Sequence, residues 1–283
     1  MAHVNHTAKH SARRSGDVYK QVLRVLVAGC CMSSAYAQTG SGALEVFAAG
    51  SLREVMTEIA AQSQTQGGTK INLTFGASGL LRERIEQGAP AQVFASADTN
   101  HPERLAKNAD WKKPVVFVRN ALCLLTQAEV SVQPGGLLET LLRPDIRLGT
   151  STPVADPSGD YAWALFRKAE IVKPGAFALL DAKALKLTGG ADSPKPPAGR
   201  GTYAWVMDQR QADVFLTYCT NAVASQREVP SLKVVQIPPE LQVGAAYGLT
   251  VRSGADGAAQ KFADYLLSPP AQTVFERFGF GKP

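Results

Sequence analysis

The sequence predicts an α/β protein built on a mainly parallel sheet. Strand-like apolar segments alternate with amphipathic segments of ~8–14 residues, the pattern of β-α-β units. Small polar residues stand at each strand-to-helix turn, where helix starts need them. Composition supplies the material for such a fold: 283 residues, 45% hydrophobic and 19% charged, suit one or two domains with a sizeable core. The absence of an uninterrupted apolar run of ~20 residues excludes a polytopic membrane protein. The hydrophobic content excludes low-complexity disorder.

The first segment stands apart from that fold. Residues 1–37 carry Lys9, Arg13, Arg14, Lys20 and Arg24 against Asp17, followed by the apolar run 25–32 and by Ala35-Tyr36-Ala37 before Gln38. A basic region, an apolar region and an A-x-A site in that order read as a secretory signal peptide. A disordered cytoplasmic tail is the competing reading. Val27-Ala28-Gly29-Cys30 also loosely fits a bacterial lipoprotein box that would lipidate Cys30, although Arg24 interrupts the apolar stretch before it. Without residues 1–37, Lys+Arg falls from 30 to 25 and Asp+Glu from 24 to 23, so the formal charge drops from +6 to +2. The basic balance therefore belongs to export and gives no argument for a nucleic-acid partner.

From residue 44 the alternation begins. Leu44-Glu45-Val46-Phe47-Ala48-Ala49 reads as a strand, Gly50-Ser51 as its turn and 52–64 as a helix. Lys70-Ile71-Asn72-Leu73-Thr74-Phe75 is a second strand, with Gly76-Ala77-Ser78-Gly79 and a helix over 80–87 after it. Ala91-Gln92-Val93-Phe94-Ala95 is a third, turning through Ser96-Ala97-Asp98 into a helix near Pro102. The apolar run 114–125, broken by Arg119-Asn120, suits a strand crossing between lobes. A short helix over 136–142, a strand over 146–149 and a helix over 160–168 follow. The Lys-, Gly- and Pro-rich segment 181–200 reads as an exposed excursion. Residues 203–210 are helical, 214–219 form a buried strand, 247–251 the last strand, and 258–267 and 270–278 two closing helices. Right-handed crossovers place the helix starts of such units along the carboxyl edge of the sheet.

Chemistry concentrates at those turns. Ser51 and Ser78 occupy equivalent places, and a serine there is the expected helix cap. Taken together, they also aim two positive helix ends and two hydroxyls at one point. Asp156-Pro157-Ser158-Gly159 would supply a third such turn, so that donors without any lysine or arginine would form an anion site. Asp156 and Asp160 read as helix-start carboxylates in preference to metal ligands.

Catalysis finds little support. Of the four histidines only His101 remains after residue 37, and it reads as a solvated loop residue near a helix start. Gly76-Ala77-Ser78-Gly79 is not the G-x-S-x-G elbow, so a Ser-His-Asp enzyme is not expected. One histidine and the distant Cys123 and Cys219 cannot form a His/Cys zinc site. Both cysteines lie in apolar runs and read as buried free thiols, although an exported protein permits a disulfide. Residues 1–43 have no room for a helix-turn-helix. Trp111, Trp163 and Trp205 read as packing residues.

Phe47-Ala48-Ala49-Gly50-Ser51-Leu52 and Phe75-Gly76-Ala77-Ser78-Gly79-Leu80-Leu81 resemble the periplasmic molybdate-binding proteins of ABC importers. The stretch from Ile85-Glu86-Gln87-Gly88 through Ala95-Ser96-Ala97-Asp98 is the most specific part of the likeness, and Leu216-Thr217-Tyr218-Cys219-Thr220-Asn221-Ala222 is similar to that family's tyrosine-bearing strand. The resemblance implies a type II periplasmic binding protein of two α/β lobes, 42–120 with 238–283 and 121–237. It implies molybdate or tungstate held by Ser51, Ser78, a backbone amide at Ser158 and the hydroxyl of Tyr218, with a looser amide near Arg200-Gly201. It also implies a permease and its ATPase as partners, a periplasmic monomer, no cofactor and no enzymatic activity. A donor-only site would reject anions that carry a proton, because their O–H would meet no acceptor. The hydroxyl-rich 150–158 turn, Asn221 where an aspartate is common, the long 181–200 excursion and Arg200 depart from the family. These departures leave room for a sulfate-like oxyanion or an organic carboxylate.

Overall fold

The computed structural model describes residues 42–65, 67–133 and 135–283. The leader assigned to 1–37, with its Cys30 alternative, lies outside them. Three strand-helix units open the fold. They are β1 (Leu44–Ala49) with a 3-10 turn (Gly50–Leu52) and α1 (Arg53–Thr65), β2 (Ile71–Gly76) with α2 (Ser78–Glu86), and β3 (Val93–Ser96) with α3 (Asn100–Ala106). Then come β4 (Val115–Thr126), α4 (Leu137–Leu142), β5 (Leu148–Ser151), α5 (Pro157–Val172), α6 (Ala176–Lys183) and β6 (Leu185–Thr188). The chain continues through α7 (Thr202–Asp208), β7 (Val214–Tyr218), α8 (Cys219–Glu228) and β8 (Lys233–Gln236). It closes with β9 (Gly244–Val251), α9 (Gly257–Leu267) and α10 (Pro269–Arg277).

The strands order as β2-β1-β3-β9-β4-β7-β5-β6, with β8 also beside β4. β1 runs parallel to β2 and β3, and β5 runs parallel to β6 and β7. Antiparallel β4 and β9 join these two parallel groups. β4 changes partners along its length: residues up to Ala121 pair with β9, and from Leu122 onward they pair with β7 and β8. One continuous strand thus carries the sheet from the first lobe into the second.

Both faces of the parallel strands are covered by helices, so β1, β3 and β7 are almost wholly buried, as parallel strands require. The closing helices anchor at the crossing strands. Phe117 packs edge-on against Phe275 at 5.6 Å and Tyr247 against Phe280 at 5.7 Å. Arg119 and Gly281 exchange backbone bonds of 2.8 Å each way, which ties the C-terminus to β4.

Four sequence expectations change. The 181–200 excursion contains the end of α6 and all of β6, which extends the sheet parallel to β5. α5 begins at Pro157, three residues before the expected start, because Asp156 caps it and proline suits the first helical position. His101 is not a solvated loop residue: it lies on α3 and is 8% exposed. Burial lowers its pKa against the opposing pull of Asp98. Cys123 and Cys219 are not free thiols but form a disulfide, with Cα atoms 4.7 Å apart. The pairing arises because β4 and β7 are neighbours, and Cys123 stands opposite Thr217, two residues before Cys219.

Candidate functional site

β1, β2 and β7 each run into a helical turn within a residue, β3 is followed by a bend over 97–99, and residues after all four strands line a single cavity of about 930 Å³. Ser51, Ser78, Ala97, Tyr218 and Thr220 all face it. Three of the helix starts here have no side-chain cap, since Ala49, Ala77 and Tyr218 precede them. Uncapped first-turn N–H groups and positive dipole ends favour an anion. One of these amides is occupied: Gly79 N–H donates to Ala155 O at 2.8 Å, across the junction of the two lobes.

Hydrogen bonds tie the cavity hydroxyls to the strands behind them. Ala121 N–H donates to Asn120 Oδ1 at 2.9 Å, and this sets the amide so that Nδ2 donates to the Tyr247 hydroxyl at 3.3 Å. The Tyr247 hydroxyl in turn shares a bond of 2.9 Å with Ser51 Oγ, which either oxygen can donate. Ser51 Oγ is thereby bonded within the protein while it lines the cavity. Ser78 Oγ accepts from Ala97 N–H at 3.1 Å and keeps a free proton. Burial holds the Tyr247 and Tyr218 hydroxyls well above the usual phenol range, so both remain protonated donors. Tyr218 directs its proton to Ala97 O at 3.3 Å, and its ring packs against Tyr161 and Tyr247.

Ser51, Ser78 and Tyr218 are therefore brought together. Ser158 is placed differently. It is fully buried, it is not part of the cavity wall, and its N–H donates to Asp156 Oδ1 at 3.0 Å. The residue of that turn that reaches the cavity is Asp156, so a carboxylate stands where a third set of donors was expected. Arg200 lies in the wall but is engaged, pairing with Glu228 and with Asp208 at 3.0 Å. Gly201 N–H is taken by Glu228 Oε2 at 2.8 Å. The hydroxyls of Thr150, Ser151 and Thr152 bond to neighbouring segments, with Ser151 Oγ 2.8 Å from Thr188 Oγ1 and 3.3 Å from the Tyr203 hydroxyl, and Ser158 Oγ is buried without a partner. Asn221 Nδ2 donates to Thr217 Oγ1 at 3.1 Å.

Asn120 and Tyr247 escaped the sequence reading. The trace of Asn120 was there, as the polar break in the apolar run 114–125. Tyr247 gave no signal beyond its place on the last strand.

Residues 44–281 match the family described as bacterial extracellular solute-binding protein. The chain belongs to that family. Among its relatives, this solute-binding protein is 39% identical to a Pasteurella multocida protein over 225 residues, covering 79% of this chain and 92% of that one. It is 32% identical over 267 residues to the molybdate-binding protein ModA of Escherichia coli, covering 90% of this chain and 96% of ModA. The periplasmic molybdate-binding protein of Azotobacter vinelandii superposes with a TM-score of 0.66 at 20% identity, covering 85% of this chain and 99% of that one. That likeness establishes the shared two-lobed fold.

Proposed function

We propose that the protein is the extracytoplasmic solute-binding component of an ABC importer, and that it binds a tetrahedral oxyanion of the molybdate and tungstate class between its lobes. The lobes are 42–120 with 238–283 and 121–237, divided where β4 changes partners. One observation carries the ligand reading: Ser51 and Ser78 stand in one cavity at helix starts that have no side-chain cap, and Ser78 accepts from Ala97 N–H and so keeps a proton to donate. Charge-assisted bonds of this kind replace the hydration a dianion loses. Tyr218 joins them on release from Ala97 O, and the amides at the start of α8 complete the set. Ser158 then acts through α5 and makes no direct contact with the anion. Lobe closure on the anion is the signal passed to a membrane permease and its ATPase. The Cys123–Cys219 bridge supports a periplasmic setting reached through the 1–37 leader, because oxidising compartments preserve disulfides.

Calorimetric titration with molybdate, tungstate, sulfate and phosphate tests this reading. Tight binding of the first two is expected; binding of another solute with no heat from these two would overturn the ligand assignment and leave the fold standing. Ser51→Ala with Ser78→Ala removes two bonds to a charged group, worth about 1.5–3 kcal/mol each. The anion should then bind on the order of 100-fold more weakly or worse, while the melting temperature stays close to that of the parent. Tyr247→Phe takes the hydroxyl partner away from Ser51 and leaves the cavity wall intact. A several-fold rise in Kd is expected, from a neutral bond worth about 0.5–1.5 kcal/mol; an unchanged Kd would remove the Asn120–Tyr247–Ser51 relay from the account.

A further inference from the structure

Three carboxylates line the cavity, and they differ in setting: Glu54 is exposed at the start of α1, Glu228 pairs with Arg200, and Asp156 has no cation beside it. Asp156 is half-buried, with its exposed part on the cavity wall. Its Oδ1 accepts from Ser158 N–H at 3.0 Å as the cap of α5. Gly189, at φ +76°, lies against the other oxygen so closely that a β-carbon there would sit 2.5 Å from Oδ2. The ionisable neighbours are acids. Asp160 on α5 and Asp98 beyond β3 both act to disfavour its charge, and Tyr203 on α7 and Tyr218 on β7 feel it in turn. His101 on α3 faces Asp98 and Asp160, and burial lowers its pKa, which favours its neutral form. Of the wall cations Arg53, Arg84, Lys195, Arg200 and Arg227, Arg200 is matched by Glu228 and Asp208, Arg53 and Arg84 lie over the Phe75 and Phe47 rings, and none acts on the Asp156 carboxyl. β5 and β6 contribute hydroxyls, with Ser151 and Thr188 bonded to each other.

A carboxylate and a dianion enclosed together cannot both keep their full charge, and one proton shared between them converts repulsion into a hydrogen bond. We propose that Asp156 couples anion binding to the uptake of one proton from solvent, held between its carboxylate and the bound anion. This rests on the oxyanion reading above. The balance is one carboxylate, one dianion and one proton, so the complex carries two negative charges in place of three. Asp156 thereby selects among anions: it admits one that carries a proton to the carboxylate, or one that leaves Asp156 itself protonated. The site is then not made of donors alone. Burial already raises the Asp156 pKa to about 6, so the carboxyl is poised for this. The sign follows. Below about pH 6 the carboxyl already holds its proton, and affinity is independent of pH. Above it each bound anion must draw a proton in, and affinity falls up to tenfold per pH unit.

The test is calorimetry with molybdate, tungstate and sulfate at about pH 7 and 8, each in two buffers of different ionisation heat. The parent protein should take up close to one proton per anion at pH 8 and bind about tenfold more weakly there than at pH 7. Asp156→Asn retains a good helix cap and should show no uptake and a flat pH profile, with a melting temperature near the parent's. Anion binding by the parent without proton uptake overturns the coupling and leaves the oxyanion reading intact. Uptake that persists in Asp156→Asn also overturns it, since the proton then resides elsewhere. If none of the three anions binds, the oxyanion reading fails and the coupling fails with it.

Discussion

Replacing Cys123 and Cys219 together by serine is expected to lower folding stability by about 4–5 kcal/mol, because the bridge closes a loop with a sequence separation of 96. The bridge restricts the unfolded chain between two strands that the fold needs side by side. It joins β4, which passes between the lobes, to the first residue of α8. For a folded unit of this size a loss of that order lowers the melting temperature by roughly 10–20 °C. Differential scanning calorimetry of the parent, the parent under reductant and the double serine variant reads it directly. Reduction and substitution should agree. A double variant melting within about 2 °C of the parent would mean that β4–β7 pairing and the core around Leu124 and Phe215 already confine the unfolded ensemble. Because Cys219 opens the helix whose uncapped start faces the cavity, the bridge also holds that donor end against β4.

How far the fold could be read from the residues depended on the kind of structure. The units at β1, β2 and β3 were legible because each strand ends in small residues that can only turn or cap. β6 was not, since it is an edge strand: Leu185 and Lys186 face solvent and only Thr188 is fully buried, so its charges resemble those of a loop. α8 starts on the residue after β7 without a capping side chain, so no local signal separated the two. In the site, Ser51 and Ser78 were visible as turn residues, and Tyr218 only through the family resemblance of its strand. The groups that orient them were not. Asn120 lies 127 residues from Tyr247, and Tyr247 196 from Ser51, and only the order β9-β4 and β3-β9 brings them together. The disulfide was hidden for the same reason. Asp156 was read correctly as a helix-start carboxylate, but its capping bond left the carboxylate on the cavity wall and drew the Ser158 amide away from it.

Gly79→Ala is expected to separate oxyanion binding from folding. Gly79 is the second residue of α2 and lies outside the cavity wall. Its N–H donates to Ala155 O across the lobe junction, and a β-carbon there would lie 2.3 Å from Val154 O and 2.7 Å from Ala155 O. Those obstacles are backbone atoms, which cannot rotate aside as a flexible side chain would. The opposing turn is itself constrained: Val154 has φ +70°, unusual for a β-branched residue, and its N–H is held by Asp160 Oδ1 at 3.0 Å. The added methyl must therefore push α2 and the 154–155 turn apart, which disfavours the closed arrangement while each lobe keeps its own core. Overpacking of this kind costs about 1–3 kcal/mol. Charged to the closed state alone, that weakens anion binding by roughly 5- to 150-fold. Calorimetric Kd values for molybdate should rise by that factor, and X-ray scattering should show less compaction on adding the anion than the parent shows. The melting temperature of the anion-free protein should stay near the parent's or fall slightly. If Gly79→Ala bound the anion as tightly as the parent, the contact between α2 and the 154–155 turn would be incidental to closure, and the donors around Ser51 and Ser78 would have to hold the anion from one lobe alone.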